Sequence, residues 1–390
     1  MPKSPLSSNT YDLAIAGGGL AGGLVALALA KIRPDLDIAL IEAEDHFGGN
    51  HIWSFFESDI EPEHRWLVDP LISRQWDSYD VHFPQYSRSL KNGYFSIESG
   101  NLDRELRKRL PRAAVKTGQT VRTVEKGLVT CADGSEFAAR AVLDVRGSGD
   151  ISALDTGWQK FCGQMLQLKA PHGIERPVIM DATVEQIDGY RFIYCLPFSD
   201  TQIFVEDTYY ADTAALDSAA SRRRIADYAA EQGWQLERVL SEEKGQLPVI
   251  YGGDFEAFWA ANRGVDARAG ARAALIQPIT SYSLPMAVKT AMLIAEMPEL
   301  SQDKLDKMLR DLARKHWKNG KFYRMLCAFL FLGAEPDQRY KTLQHTYTKD
   351  EQLLARFYAG KSTRLDQANL LTGKPPIPIS RAIPLLLKYR

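Results

Sequence analysis

Two stretches of the chain carry residues whose types and spacing can do chemistry. Phe204-Val205-Glu206-Asp207-Thr208 sets two adjacent carboxylates among Ile203, Tyr209 and Tyr210. In a site walled by aromatic side chains, desolvation raises a carboxyl pKa, as a general acid working at neutral pH requires. Successive side chains on a strand point to opposite faces, so Glu206 shares a face with Phe204 and Thr208, and Asp207 with Ile203 and Val205. Both carboxylates enter one site only if the strand bulges. A solvated pair on an edge strand accounts for the same residues equally well. The second stretch is Gly17-Gly18-Gly19-Leu20-Ala21-Gly22, a GxGxxG pattern with Glu42 twenty residues beyond Gly22. Gly17 allows a tight turn, Gly19 lets the backbone approach a pyrophosphate, and Gly22 lets helix and strand pack closely. The pyrophosphate would rest on the helix N-terminus, with Glu42 accepting from ribose hydroxyls.

The elements that must position these groups are legible around them. Tyr11–Ala16 reads as a buried strand, Leu20–Ile32 as a helix packed on a sheet, and Asp37–Ile41 as a second buried strand. The uncharged run from Leu13 to Ala30 has the length of a membrane span, but five of its 18 residues are glycine, which favours strand, turn and buried helix. No second GxGxxG is present for a separate nicotinamide domain, and Gly48-Gly49 follows Glu42 closely, so FAD is favoured over NAD. Gly49 belongs to the loop expected over the cofactor. Arg104 starts a helix that suits the flavin phosphates, although a solvated helix face explains it as well. Asp144 closes the strand Ala141–Asp144, where open α/β sheets expose functional loops. Pro278, Ser281 and Tyr282 precede the apolar helix Met286–Ala295, whose first N–H groups would face negative charge.

Residues 51–99 are rich in aromatics without a clear period. The turn pairs Asp188-Gly189 and Ser199-Asp200 flank the apolar runs 191–196 and 201–209, which predicts antiparallel hairpins inserted into an α/β scaffold. Ser218–Gly233 reads as a helix, and the last ninety residues are mostly helical, with Gly373–Pro378 extended. With 45% hydrophobic residues, 48 Lys and Arg against 49 Asp and Glu, and a net charge of −1, the chain is a globular protein, not a nucleic-acid binder. The charge is split: 301–390 holds 18 basic and 8 acidic residues, +10 against −11 for the rest. The four cysteines form no CxxC pair and fit a reducing cytoplasm, and the seven histidines form no metal-ligand pattern, so no metal is expected.

Taken in order, several motifs resemble the bacterial-type lycopene β-cyclases, FAD-dependent carotenoid cyclases, over essentially the whole chain. They are Gly17–Gly22, Gly48-Gly49-Asn50-His51 with Trp53-Ser54-Phe55, Gly93-Tyr94-Phe95, Met180-Asp181-Ala182-Thr183, Gly189-Tyr190-Arg191-Phe192, Glu206-Asp207-Thr208 and Tyr282-Ser283-Leu284-Pro285. Phe357–Lys361 and Gly373–Pro376 match as well. The family pattern has histidine in place of Phe56, and reads His-Pro-Thr-Thr-Gly-Tyr-Ser where this chain has Gln277-Pro278-Ile279-Thr280-Ser281-Tyr282-Ser283.

The resemblance implies an α/β fold: a Rossmann-like FAD-binding domain of the glutathione-reductase and p-hydroxybenzoate-hydroxylase type, an inserted antiparallel β-sheet substrate domain, and a helical C-terminal region. On this division residues 1–56, 100–155 and 265–300 form the FAD-binding domain. Residues 57–99 and 156–264 form the substrate domain, and 301–390 the basic C-terminal region. It also implies an intramolecular lyase (isomerase) that closes the linear ends of lycopene to β-ionone rings without net redox change. Reduced, non-covalent FAD and NAD(P)H as reductant are required, the catalytic motif maps onto Glu206 and Asp207 with Glu206 as general acid or cation stabiliser, and the flavin charge stabilises the carbocation. A hydrocarbon substrate places the chain at the inner face of the membrane, with Met325–Leu332 beside Lys321 and Arg324 as the candidate contact, although an apolar core helix beneath a solvated basic face accounts for that run as well. Two other readings remain: a FAD-dependent hydroxylase or reductase acting on an apolar isoprenoid, and a non-catalytic isoprenoid carrier.

Overall fold

The computed structural model describes residues 10–262, 264–372 and 377–389. Strand Tyr11–Ala16, helix Leu20–Ile32 and strand Ile38–Ile41 form a β-α-β unit whose strands run parallel, Leu13 opposite Ile38 and Ala16 opposite Ile41. The helix buries Leu20 and every residue from Gly22 to Leu29. It therefore shows no polar stripe, as an element covered on both sides should not. The full sheet has six strands, in the order Val115–Lys116, Ile38–Ile41, Tyr11–Ala16, Glu136–Asp144, Leu128–Cys131 and Val121–Glu125. The first four are parallel and the last two turn back antiparallel. Helix Leu284–Ala295, from far along the chain, packs on helix Leu20–Ile32.

A second sheet has seven strands, ordered Leu236–Gly253, Leu154–Leu168, Gln202–Ala211, Tyr190–Pro197, Val178–Asp181, Tyr79–Phe83 and Tyr86–Leu90. All neighbours are antiparallel except Val178–Asp181 with Tyr79–Phe83. That parallel seam joins an upstream hairpin to the middle of the chain. The aromatic stretch 51–99 thus resolves into five short strands. Two extend this sheet, while Ile52–Phe56, Tyr94–Glu98 and Arg74–Trp76 make a three-stranded sheet of their own. One face of the seven-stranded sheet packs Ile203 and Val205 against Ile225 and Tyr228 of helix Ser218–Glu231. The other face packs Phe204 and Tyr210 with Tyr323, Phe331 and Tyr358 of the C-terminal region.

The C-terminal region is helical from Gln302 to Leu370, with a further helix at Ile379–Tyr389, and Gly373–Pro376 lies outside the described residues. One expectation needs correction here. Met325, Cys327, Ala328, Leu330 and Phe331 are buried core, and the Phe331 ring fills the space where a Cβ on Gly157 would stand 2.2 Å away. Arg324 is also buried, its guanidinium 3.8 Å from the Trp317 ring. Except for Leu332 at its end, the run Met325–Leu332 is therefore not the apolar surface of this region. The large apolar side chains left exposed there are Leu332, Leu365, Leu371, Ile383 and Leu387. Among the described residues no helix is long and apolar enough to cross a membrane, and no group of three or more His, Cys, Asp or Glu can hold a metal ion.

Candidate active site

Strand register builds the acidic centre. Glu243, Gly163, Glu206 and Tyr194 lie opposite one another on four successive strands of the seven-stranded sheet. Gly163 offers no side chain between the two glutamates, and the Phe204 ring occupies the gap; a Cβ on Gly163 would meet it at 2.2 Å. Glu206 opens onto a cavity of about 320 Å3 walled by Trp53, Phe56, Tyr94, Phe161, Phe192 and Tyr210. Thr208, two residues on and on the same face, donates its hydroxyl to Glu206 Oε1 at 2.5 Å. Burial above all, with the charges of Glu243 and Asp207, pushes the Glu206 carboxyl up to about 8 against the opposing Thr208 hydrogen bond. The group is therefore protonated at neutral pH. Beside it the hydroxyls of Tyr94, Tyr194, Ser54 and Ser96 form a chain with steps of 2.8 Å.

Asp207 faces the other way. It is fully buried, accepts from Arg191 Nε at 2.7 Å and from the Tyr209 hydroxyl, and lies on the helix-covered side of the sheet. No bulge interrupts the pairing of Gln202–Ala211 with either neighbour, so the two adjacent carboxylates occupy separate environments.

The glycine turn forms a cradle. Gly17 has φ +113° and donates its N–H to Ile41 at 2.9 Å. A Cβ on Gly22 would stand 2.0 Å from the Gly17 carbonyl, so only glycine closes this turn, whereas one on Gly19 would meet nothing within 4 Å. No side chain caps the helix that begins here, and its first turn holds no acidic residue. Its leading N–H groups are thus left for an anion. Glu42 accepts from Gly18 N at 2.7 Å and Ala43 N at 2.7 Å, which aims the carboxylate along the turn. Gly48 and Gly49, at φ +83° and +63°, fold back so that Gly48 N donates to Gly18 O at 3.0 Å. Gly17, Gly19, Gly22, Glu42 and Gly49 therefore converge, and the open, uncapped backbone fits the pyrophosphate of a dinucleotide.

The other expected cofactor residues are more scattered. Arg104 is exposed on helix Ser99–Arg109 and donates to Asn101 Oδ1 at 2.7 Å. Asp144 is buried at its strand end and held by Arg146 at 2.8 Å and Arg272 at 3.2 Å. Burial alone would raise its carboxyl, but the two guanidinium groups outweigh that and keep it low. Pro278, Ser281 and Tyr282 lie in the loop before helix Leu284–Ala295. Ser281 adopts φ +56°, a left-handed conformation that suits glycine, and is fastened by Ser281 N to Gln277 O at 2.8 Å and by its hydroxyl to Pro248 O at 2.6 Å. Gln277 in turn accepts from Ile279 and Thr280 N–H groups. Phe56 packs its ring 5.0–5.2 Å from Tyr79, Tyr94 and Tyr358.

Two groups of this site, Glu243 and Asp59, were not singled out from the sequence. Glu243 is 7% exposed, bonds His51 Nδ1 at 2.9 Å and accepts Ile52 N–H at 3.0 Å. Asp59 is 6% exposed and lines both the Glu206 cavity and a neighbouring one of about 400 Å3; Tyr282 and Tyr358 are the other walls they share. Glu243 lies in the run Glu242-Glu243-Lys244 and Asp59 in Glu57-Ser58-Asp59, both of which read as solvated charge.

The fold and the family can now be compared with known proteins. At 14% identity, the flavin-dependent brominase Bmp2 superposes with a TM-score of 0.62, covering 93% of this chain and 97% of its own. Klebsiella pneumoniae HpxO, solved with FAD and uric acid, gives 0.58 at 13% identity over 90% and 96%. These likenesses show the Rossmann-like fold of FAD-dependent enzymes. The lycopene β-cyclase of Pantoea ananas is 43% identical over 379 residues, 97% of this chain and 98% of that protein. The family described as lycopene cyclase protein matches residues 12–383. The chain belongs to the lycopene cyclase family.

Proposed function

We propose that the protein is a lycopene β-cyclase of carotenoid synthesis, which converts each linear end of lycopene to a β-ionone ring. The observation that carries this reading is Glu206, a carboxyl held by the Thr208 hydroxyl on the wall of a cavity lined by Trp53, Phe56, Tyr94, Phe161, Phe192 and Tyr210. Glu206 delivers its proton to the terminal double bond, and the cation closes the ring by attack of the next double bond. Thr208 holds the carboxyl in place. Trp53, Tyr94, Phe161 and Phe192 line the cavity, and the negative quadrupole of an aromatic face favours a cation. Asp207, locked to Arg191, positions the strand and does not contact the substrate. The adjoining cavity, with Ile60, Met286, Val288 and Leu312 on its walls, has the apolar lining needed for the rest of a long polyene.

Gly17, Gly19, Gly22, Glu42 and Gly49 would hold FAD, with Arg104, Asp144, Pro278, Ser281 and Tyr282 as the further candidate contacts. When bound and reduced by NAD(P)H, FAD would supply negative charge that favours the cation, with no net redox change. A hydrocarbon substrate resides in bilayers, so the chain works as a peripheral protein at a membrane surface. Its basic C-terminal region and exposed Leu365, Ile383 and Leu387 support contact there.

The test is anaerobic turnover of lycopene in heavy water with reduced FAD. Cyclic product should carry solvent deuterium with no stoichiometric loss of NADPH, and Glu206→Gln should abolish cyclisation while still binding FAD. Product formed mole for mole with NADPH consumed in that assay, or with oxygen consumed in a parallel aerobic one, would instead identify a flavin reductase or hydroxylase.

A further inference from the structure

Ring closure leaves a cation that must lose a proton, and a second carboxyl stands in the same chamber. Asp59 ends the short helical turn Glu57–Asp59, and its Oδ2 accepts the Phe56 N–H at 2.8 Å. That bond fixes the carboxyl and leaves Oδ1 buried with no hydrogen-bond partner among the described residues. A buried acceptor left unmatched is costly and is uncommon unless it serves a purpose. The orphan oxygen belongs to a residue on the wall of the cavity that Glu206 lines, where that cavity meets its neighbour. The Tyr282 hydroxyl, on the same shared wall, is likewise buried without a partner.

No cation neutralises Asp59 directly. The ammonium that acts on it, Lys361, is held by Glu61 at 2.6 Å. The other titratable groups that sense it electrostatically are the Tyr94 and Tyr282 phenols, and Tyr94 senses Glu206 as well. Tyr94, with the hydroxyl chain Tyr194–Ser54–Ser96, thus connects electrostatically to both carboxyls.

We propose that Asp59 is the catalytic base that removes the ring proton after cyclisation, opposite Glu206 as donor. The inference rests on the cyclase reading above. In the step, the C–H bond on the ring carbon next to the cation breaks and its electron pair forms the ring double bond. The proton passes to Asp59 Oδ1. One proton has entered from Glu206 and one has left to Asp59, so atoms and charge balance with no oxidant or reductant. The aspartate environment agrees: burial pushes this carboxyl up to about 7, with the Phe56 N–H and Lys361 pulling the other way. Such a group exchanges protons readily near neutral pH.

Asp59→Asn keeps an oxygen for the Phe56 N–H and removes the base. With flavin-loaded enzyme and lycopene vesicles, its turnover should fall about 100-fold or more, with KM little changed. The remaining product should contain rings with the double bond displaced, because the proton is lost from another carbon; Asp59→Glu should restore part of the rate and the β-ring. A merely structural role would not move the ring isomer. Wild-type turnover with only β-rings in Asp59→Asn overturns the proposal and assigns both proton steps to Glu206. Glu206→Gln run alongside separates the failures, since an active Glu206→Gln defeats the cyclase mechanism itself. Should Asp59→Asn fail to fold, lycopene deuterated at the ring carbon decides with Asp59→Glu. An isotope effect larger than wild type supports the base, and an unchanged one rejects it.

Discussion

Removing the Glu243 charge should move the alkaline limb of the reaction. Glu243 and Glu206 lie two strands apart in one row, and strands are spaced by about 4.8 Å, so their charges are on the order of 10 Å apart. At an effective dielectric of about 20, two unit charges at that distance interact by about 1.7 kcal/mol, or roughly 1.2 pKa units. Glu206 must be protonated to act, so activity is present below its pKa and is lost as pH rises through about 8. In Glu243→Gln the carboxyl ionises more easily, and the limb should fall to about 7. Turnover at pH 8 would then drop about eightfold while that at pH 6 changes little. The substituted amide oxygen can still accept the Ile52 N–H, which limits structural damage. The assay is β-ring formation in lycopene vesicles with reduced FAD, followed by kcat/KM against pH. A limb that stays in place, or moves upward, refutes the electrostatic account of the Glu206 acid.

Two other outcomes follow from the same geometry. Asp207→Ala strands the buried Arg191 guanidinium and should cost about 3–5 kcal/mol, read as a lower denaturant midpoint; an unchanged midpoint removes the ion pair from the account of the strand. Binding to vesicles rich in anionic lipid should weaken with salt, and weaken further when Leu365 and Leu387, each 79% exposed, are changed to Ser. Sedimentation indifferent to both changes rejects docking through the C-terminal region.

How far the fold was legible depended on how local its causes are. The β-α-β unit could be placed because consecutive residues impose it: Gly17 and Gly22 must touch, and helix Leu20–Ile32 matches its predicted span. The opposite facing of Glu206 and Asp207 follows from strand period alone. Residues 51–99 resisted because their strands are only three to five residues long and pair with partners distant in sequence, such as Tyr79–Phe83 with Val178–Asp181. Asp59 and Glu243 resisted for the same reason. A carboxyl in a charged run becomes a site group only when remote aromatics bury it. The Met325–Leu332 run illustrates the converse, an apolar stretch whose partner was the sheet face above Gly157 rather than a lipid surface.

Helix Leu20–Ile32 has a consequence for biosynthesis. The helix that covers it, Leu284–Ala295, leaves the ribosome about 250 residues after it. At about 5–20 residues per second, the interval between the two is roughly 13–50 s. Throughout that time the nascent chain displays an apolar helix, with Lys31 its one charge, to chaperones and to other nascent chains. Slower elongation lengthens the exposure instead of relieving it, so yield of folded protein should depend on chaperone supply more than on cooling.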